Sequence, residues 1–337
     1  SKQIPPCLQC INIRYNKNGE IHKITKGSIY PNEAIIPSNI LMISGHFRAY
    51  FMLVVTSLCW AANAVLSKLA VGEVSPMLLV AFRWLGTFSL IMVLAYKYVR
   101  QDWPILRSRL PFICVMGTLG LTIFNALYYF APHYTAAVNI GILQGSMPIF
   151  ILIGSFFAYQ APISPLQFIG ILFAIVGIAT VVSGGDFQKL IIVDINLGDG
   201  LMIIACIFFS GYSVALQCRP ATSIISLFTM FAGIAFVTSL PLVMVEYGLN
   251  QAQWPSLKGW GVIILVVLLP SFLGQILFIK GVEMIGPGRA GIFINLVPVF
   301  TAILAVVILG EPFELFHTVA LGLVLGGIWL SEWAKSH

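Results

Sequence analysis

Arg83 stands inside the apolar stretch "SPMLLVAFRWLGTFSL", where a full positive charge has few ways to be satisfied. It falls roughly six residues into a helix, about 9 Å from one end at about 1.5 Å per residue. A guanidinium at that depth can snorkel to lipid headgroups, pair with Glu73 just before the helix, or hold an anion. Upstream, Trp60, Asn63 and Ser67 are spaced i, i+3 and i+7 and so share one helix face. Asn125, Gln144, Tyr212, Gln275 and Asn295 lie in equally apolar surroundings. An unpaired amide in hydrocarbon costs several kcal/mol, so these side chains are expected to face the interior. There they either bond across helices as packing contacts worth about 0.6 kcal/mol each, or line a chamber for a polar solute. Pro148 and Pro298 belong with them, because a proline inside a helix frees the carbonyl four residues earlier, here Gln144 and Ile294. Such kinks are tolerated where they line a cavity. Trp60, Asn63, Arg83, Asn125, Gln144, Tyr212, Gln275 and Asn295 are therefore the expected binding residues, with the two proline kinks beside them. Tyr129, near a helix end, is a weaker candidate, since an aromatic there is ordinarily an interfacial anchor.

Other chemistries find no support. Glu73, Asp186, Asp194, Asp199, Glu246, Glu283, Glu311 and Glu314 fall at the ends of apolar runs or between them, leaving no mid-helix carboxylate for a proton relay. There is no carboxylate pair, HExxH, Ser-His-Asp set or phosphate-cradling glycine loop, so neither an enzyme nor a cofactor is expected. His133 and His317 sit at run ends, where solvation or capping is the ordinary role. Cys7 and Cys10 form a CxxC without a second pair, too little for a metal site. Cys59, Cys114, Cys206 and Cys218 lie in or beside apolar helices, where a thiol packs as a small hydrophobe.

The elements that must position these residues are membrane helices. The chain is 59% hydrophobic and 9% charged, against about 25% charged in ordinary globular domains. Runs of about 20 apolar residues, enough to cross a hydrocarbon core about 30 Å thick, recur throughout. Ten spans are expected near 50–71, 77–97, 111–131, 135–159, 165–183, 199–217, 224–245, 259–280, 287–309 and 315–333. Of the formal charge of +6, most arises in residues 1–48, which hold six Lys/Arg against two Glu, so nucleic acid is not an expected partner. Met42, followed by "ISGHFRAYFMLVV", reads as a natural start, with residues 1–41 as a poorly ordered upstream extension. Lys97, Arg100, Arg107, Arg109, Lys280 and Arg289 gather on one side, while Lys189 and Lys258 lie on the other. By the positive-inside rule both termini are then cytoplasmic, in a bacterial inner membrane.

Two lines of the chain match without a gap at a shift of 150 residues: "IGILQGSMPIFILIGSFFAYQAP" and "AGIFINLVPVFTAILAVVILGEP". Gly141, Pro148, Phe150, Pro162 and Gly177 fall on Gly291, Pro298, Phe300, Pro312 and Gly327. Each copy holds five spans, an odd number, so the second enters the membrane upside down relative to the first. The expected fold is all-α, ten transmembrane helices as two inverted five-helix repeats.

"CWAANAVLSKLA", "SPMLLVAFRW", "GVEMIGPGRAGIFINLVPVFTAILAVVILGEP" and "GLVLGGIWL" together resemble the EamA-type members of the drug/metabolite transporter superfamily. The resemblance covers about residues 49–333, and it departs at Ala161, where the first repeat lacks the glutamate that the second has as Glu311. It implies a first repeat over 49–183 and a second over 199–333, an extension 1–48, a linker 184–198 and a tail 334–337. It also implies a carrier of small metabolites, often an exporter. Since only Arg83 and Lys68 offer intramembrane cations, a neutral or zwitterionic solute such as an amino acid fits better than a phosphorylated one. The expected partners are that small-molecule solute and the lipid bilayer, the chain being a monomer or weak homodimer. A lipid flippase or a non-transporting membrane assembly partner is the alternative. Lacking a mid-span carboxylate, transport is expected to follow the solute gradient.

Overall fold

The computed structural model describes residues 38–186, 188, 196–286, 290–291 and 293–336, and its regular structure there is entirely helical. The CxxC, Lys189, Asp194 and Arg289 lie outside the described residues. From Ser38 onward the chain is already helical, earlier than the extension expected through residue 48.

Ten apolar helices follow one another. They are α1 (Phe47–Leu69, the later part of the helix from Ser38), α2 (Pro76–Ser108), α3 (Leu110–His133), α4 (Ala137–Tyr159), α5 (Pro165–Val182), α6 (Leu197–Cys218), α7 (Ile224–Gly248), α8 (Leu257–Ile285), α9 (Phe293–Leu309) and α10 (Leu315–Trp333, continuing to Ser336). All but α9 are long and apolar enough to cross a bilayer, and α9 is the shorter one. Helix α2 outruns its expected end near residue 97 and carries Pro104 without stopping. The chain is an integral, multi-pass membrane protein.

Local chemistry sets the helix starts. Ser164 and Gln167 form a reciprocal capping box on α5, with Pro165 in the first turn. Asn196, Ser223 and Ser256 accept from backbone N–H groups in the first turns of α6, α7 and α8. Helix α4 has no local cap; instead the carboxylate of Glu311 accepts from Ala137 N–H at 2.8 Å and Val138 N–H at 3.0 Å. Helices α4 and α9 end at equivalent left-handed residues, Gln160 (φ 53°) and Gly310 (φ 66°).

Irregularities recur at the same shift. Helices α3 and α8 each contain a π-helical turn, Thr118–Ile123 and Val267–Leu273. Helices α4 and α9 both break just before their prolines: α4 at Ser146, and α9 where a 3-10 turn, Phe293–Leu296, passes into α-helix at Val297. The sequence points to Gln144 and Ile294 as the freed carbonyls. The carbonyls that take side-chain donors are those one residue earlier: Leu143 O accepts from Cys206 Sγ at 3.5 Å, and Phe293 O from Ser57 Oγ at 2.6 Å. In α4, Ser146 N–H folds back onto Leu143 O and Gln144 O, so the carbonyl that the proline frees meets a backbone donor.

Packing reveals the symmetry. A methyl group on Gly170 would lie 2.4 Å from Gly327 O, and one on Gly177 would lie 3.0 Å from Ala320 O. Adding 150 converts the first pair into Ala320 with Gly177, which is the second pair. As position rises along α5 it falls along α10, so two equivalent helices lie antiparallel in contact. Helices α4 and α9 do the same, Gly141 meeting Thr301 and Gly145 meeting Pro298. A two-fold that makes equivalent helices antiparallel is perpendicular to them, hence in the membrane plane, and the repeats are inverted.

Candidate functional site

Asn63 on α1, Arg83 on α2, and Asn125 and Tyr129 on α3 meet in a single buried cluster. Arg83 Nη1 donates to Asn125 Oδ1 at 3.0 Å, to Asn63 Oδ1 at 3.3 Å, and to the Tyr129 hydroxyl. Tyr129 OH donates to Asn63 Oδ1 at 2.8 Å, and Asn125 Nδ2 is committed to Leu121 O at 2.6 Å. The guanidinium carbon stands 5.2 Å from the Trp84 ring centroid and 5.6 Å from that of Tyr129. Arg83 is 8% exposed, and among the described residues it has no carboxylate partner. It neither snorkels nor pairs with Glu73, whose carboxylate is taken by Ser256 Oγ and by Lys258 Nζ at 3.4 Å. Tyr129, read from sequence as an interfacial anchor, is buried at 1% exposure. Its position four residues after Asn125, on the same helix face, was the available signal.

The remaining candidates are placed elsewhere. Trp60, half-buried, donates Nε1–H to Pro270 O at 3.1 Å, in the π-helical turn of α8, and its ring lies 5.1 Å from Phe278. Tyr212 covers Gly120, where a methyl group would fall 2.3 Å from its ring, and packs against Phe209 and Phe231. Gln144 buries Oε1 without a hydrogen-bond partner. Gln275 and Asn295 are half-buried and make no side-chain hydrogen bond among the described residues. None of these five bonds to the Arg83 cluster. Pro148 and Pro298 begin the second segments of their helices, and Pro298 packs on Gly145.

A second polar cluster was not foreseen. Asp199, buried near the start of α6, accepts from Thr135 Oγ1 at 2.5 Å and from Asn139 Nδ2 at 3.4 Å. Asn139 Oδ1 faces His317 Nε2 at 3.1 Å, while His317 Nδ1 accepts from Glu314 N–H at 2.9 Å. That N–H fixes the tautomer, so Nε2 carries the proton and donates to Asn139. His317 therefore does cap its helix, as its position suggested, but it is buried rather than solvated.

These groups share one face of the bundle, because successive helices cross in opposite directions and the joints around residues 70–75, 134–136, 249–256 and 310–314 open the same way. Bonds between the repeats stitch that face. Ser75 N–H donates to Gln253 O at 3.0 Å, Ser256 N–H to Glu73 O at 2.9 Å, and Gln253 Nε2 to Gly72 O at 2.6 Å. Buried Glu246 accepts from Ser75 Oγ at 2.6 Å and Met77 N–H at 3.1 Å. Toward the other face, the inter-repeat hydrogen bonds among the described residues are fewer: Ser223 to Asp102 at 3.0 and 2.9 Å, Tyr159 OH to Val214 O at 3.1 Å and to Cys218 Sγ, and, deeper in, Ser57 Oγ to Phe293 O at 2.6 Å and Thr56 Oγ1 to Gly274 O at 3.3 Å. On the flank, an apolar groove of about 590 Å³ runs between α2 and α7, lined by Phe88, Met92, Tyr96, Ile234 and Val237, with Arg100 and Trp103 at one end.

Comparison with known proteins agrees with this architecture. The model of the EamA-like transporter family matches residues 47–183 and again 196–333. Two similar relatives from Bacillus subtilis (strain 168) bear the names uncharacterized transporter YetK and uncharacterized transporter YyaM. The first is 26% identical, covering 86% of this chain and 88% of its own. The second is 25% identical, covering 84% and 93%. WAT1-related protein At2g39510 of Arabidopsis thaliana is 24% identical over 82% of both chains. One solved structure, titled "Crystal structure of protein", aligns with a TM-score of 0.57 at 18% identity, covering 87% of this chain and 99% of that one, a likeness of fold.

Proposed function

Since the chain belongs to the EamA-like transporter family, we propose that it is a secondary carrier, an exporter or facilitator, moving a small neutral or zwitterionic metabolite such as an amino acid by alternating access. The observation that supports this reading is the contrast between the two faces of a two-fold molecule: one is stitched across the repeats at its joints and the other has fewer such bonds. An inverted repeat can exchange those roles when each repeat takes up the conformation of the other, which is how a central site meets each side in turn. No covalent step is needed. Both termini are taken as cytoplasmic from the charge distribution along the sequence, and the membrane is taken as a bacterial inner membrane. The test is metabolite profiling of sealed vesicles with and without the protein, in which a defined set of small solutes should equilibrate only when it is present.

The groove between α2 and α7 favours a second reading, a lipid flippase, because its apolar wall is open on the flank and has the cationic Arg100 at one end. Scrambling of a fluorescent phospholipid in the same vesicles, without movement of any water-soluble metabolite, would replace the carrier with the flippase.

A further inference from the structure

Donors outnumber acceptors around Arg83. Its Nη1 shares the oxygens of Asn63, Asn125 and Tyr129, and Asn63 Oδ1 is already taken twice. Arg83 Nε is buried without a partner, and so are two other donors beside it, Trp84 Nε1 and Tyr128 OH. Trp84 is the ring under the guanidinium, and Tyr128 stands edge-on to Tyr129 at 5.5 Å. Buried polar groups are ordinarily satisfied, and buried charges ordinarily paired. Here three neutral oxygens hold a cation whose counter-charge is missing among the described residues, while unpaired N–H and O–H groups surround it.

Resting on the carrier reading, we infer that Arg83 is the anchor for a carboxylate on the transported solute. A carboxylate is acceptor-only, singly charged and planar, and its two oxygens match the fork of a guanidinium. A phosphate monoester brings close to two charges, and the nearest candidate for a second cation, Lys68, is held by the carbonyls of Pro132 at 2.7 Å and Thr135 at 2.9 Å. The guanidinium is buried against the rings of Trp84 and Tyr129, so the charge stays inside the bundle. The cluster has no copy in the second repeat, where the shift of 150 places Ser213, Gly233, Gln275 and Ile279. One anchor per chain follows, and it engages one carboxylate of the solute.

Two measurements on the full chain test this. In the first, purified protein is heated with sodium acetate or an equimolar mixture of L-amino acids, against sodium chloride at equal ionic strength and against the matching amino-acid amides. The wild type should gain several degrees in Tm with the carboxylates alone, and Arg83→Gln should lose that gain while running as the same monodisperse species. Should Arg83→Gln not fold, Arg83→Lys takes its place and should keep less than half the gain. No gain in the wild type, an equal gain with the amides, or an unchanged gain in the variant overturns the anchor. In the second, metabolite profiling compares vesicles holding wild type, Arg83→Gln or no protein. The solutes moved by wild type should each carry a carboxylate, and their rates should fall at least tenfold in the variant. Movement of solutes without carboxylates, or wild-type rates in Arg83→Gln, refutes the anchor and leaves the carrier standing. If wild type moves nothing, the carrier reading fails, and the thermal measurement alone decides whether Arg83 binds carboxylates.

Discussion

Tyr129 shows how one hydroxyl can join two roles. It accepts a hydrogen bond from Arg83 and donates one to Asn63, so removing it strips a contact from a buried cation and leaves Asn63 with one donor fewer. Hydrogen bonds to charged groups are worth about 1.5–3 kcal/mol, and Tyr129→Phe is expected to cost about 2 kcal/mol, read as a lower Tm with helical content intact. Glu73 offers a pH-dependent counterpart outside the spans. The hydroxyl of Ser256, and to a smaller degree Lys258, holds its carboxyl below the ordinary carboxylate range against an opposing effect of desolvation. A depressed acid favours the folded state fully above its unfolded pKa, about 4.3, and loses that contribution as pH falls through the lower folded value. The Tm difference between wild type and Glu73→Gln should therefore be constant from neutral pH down to about pH 5 and shrink below about pH 4. A difference that grows on acidification would show the coupling to have the opposite sign.

Gln160 occupies the left-handed position that its equivalent, Gly310, fills without strain, and a side chain there costs roughly 1 kcal/mol. Gln160→Gly should accordingly raise stability by up to about 1 kcal/mol, whereas Gly310→Gln should lower it by a similar amount. Glu311 caps α4 from a distance, and Glu311→Gln should cost about 1 kcal/mol by weakening two charge-assisted bonds at a helix N-terminus. The same variant, with Asp199→Asn, bears on coupling: if pH-driven uphill transport exists and either variant abolishes it with folding retained, gradient-following transport is wrong. Much at this level was legible in the sequence. Repeated glycines and prolines at one shift announced ten helices in two copies, because backbone breakers keep their positions when lipid-facing side chains drift. Asn63, Arg83 and Asn125 were legible too, as polar groups that lipid would not tolerate. Asp199, Asn139 and His317 were not, because their burial depends on helix ends meeting across the repeats, and hydropathy cannot distinguish an end in water from an end folded under a joint.

At the scale of the whole molecule, the contact between α5 and α10 and the stitched face make separate demands. Gly170 and Gly327 approach so closely that a methyl on either would strike a carbonyl at 2.4 or 2.5 Å. Gly327→Ala should force the helices apart at a cost of about 1–3 kcal/mol, seen as a lower Tm. The stitched face must open if access alternates. Cysteines replacing Ser75 and Gln253, whose backbones meet through a hydrogen bond of 3.0 Å, should cross-link on oxidation, stop solute exchange and release it on reduction. Exchange at the wild-type rate through the cross-linked protein would mean that this face is not a gate.

The Arg83 cluster also has a place in time. Its members lie between Asn63 and Tyr129, so every bond to the charge is available once the first three helices have left the ribosome. An arginine at the centre of a span raises the insertion free energy by about 2.5–3.5 kcal/mol; Arg83, nearer one end of α2, costs less than that, and α1 and α3 are the neighbours that offset it. The start of α4, in contrast, waits for Glu311, made when nearly the whole chain has been synthesised. Biogenesis thus has a built-in order: the first three helices can settle as a nascent unit around their own cation, while the fourth remains uncapped until the ninth has been threaded.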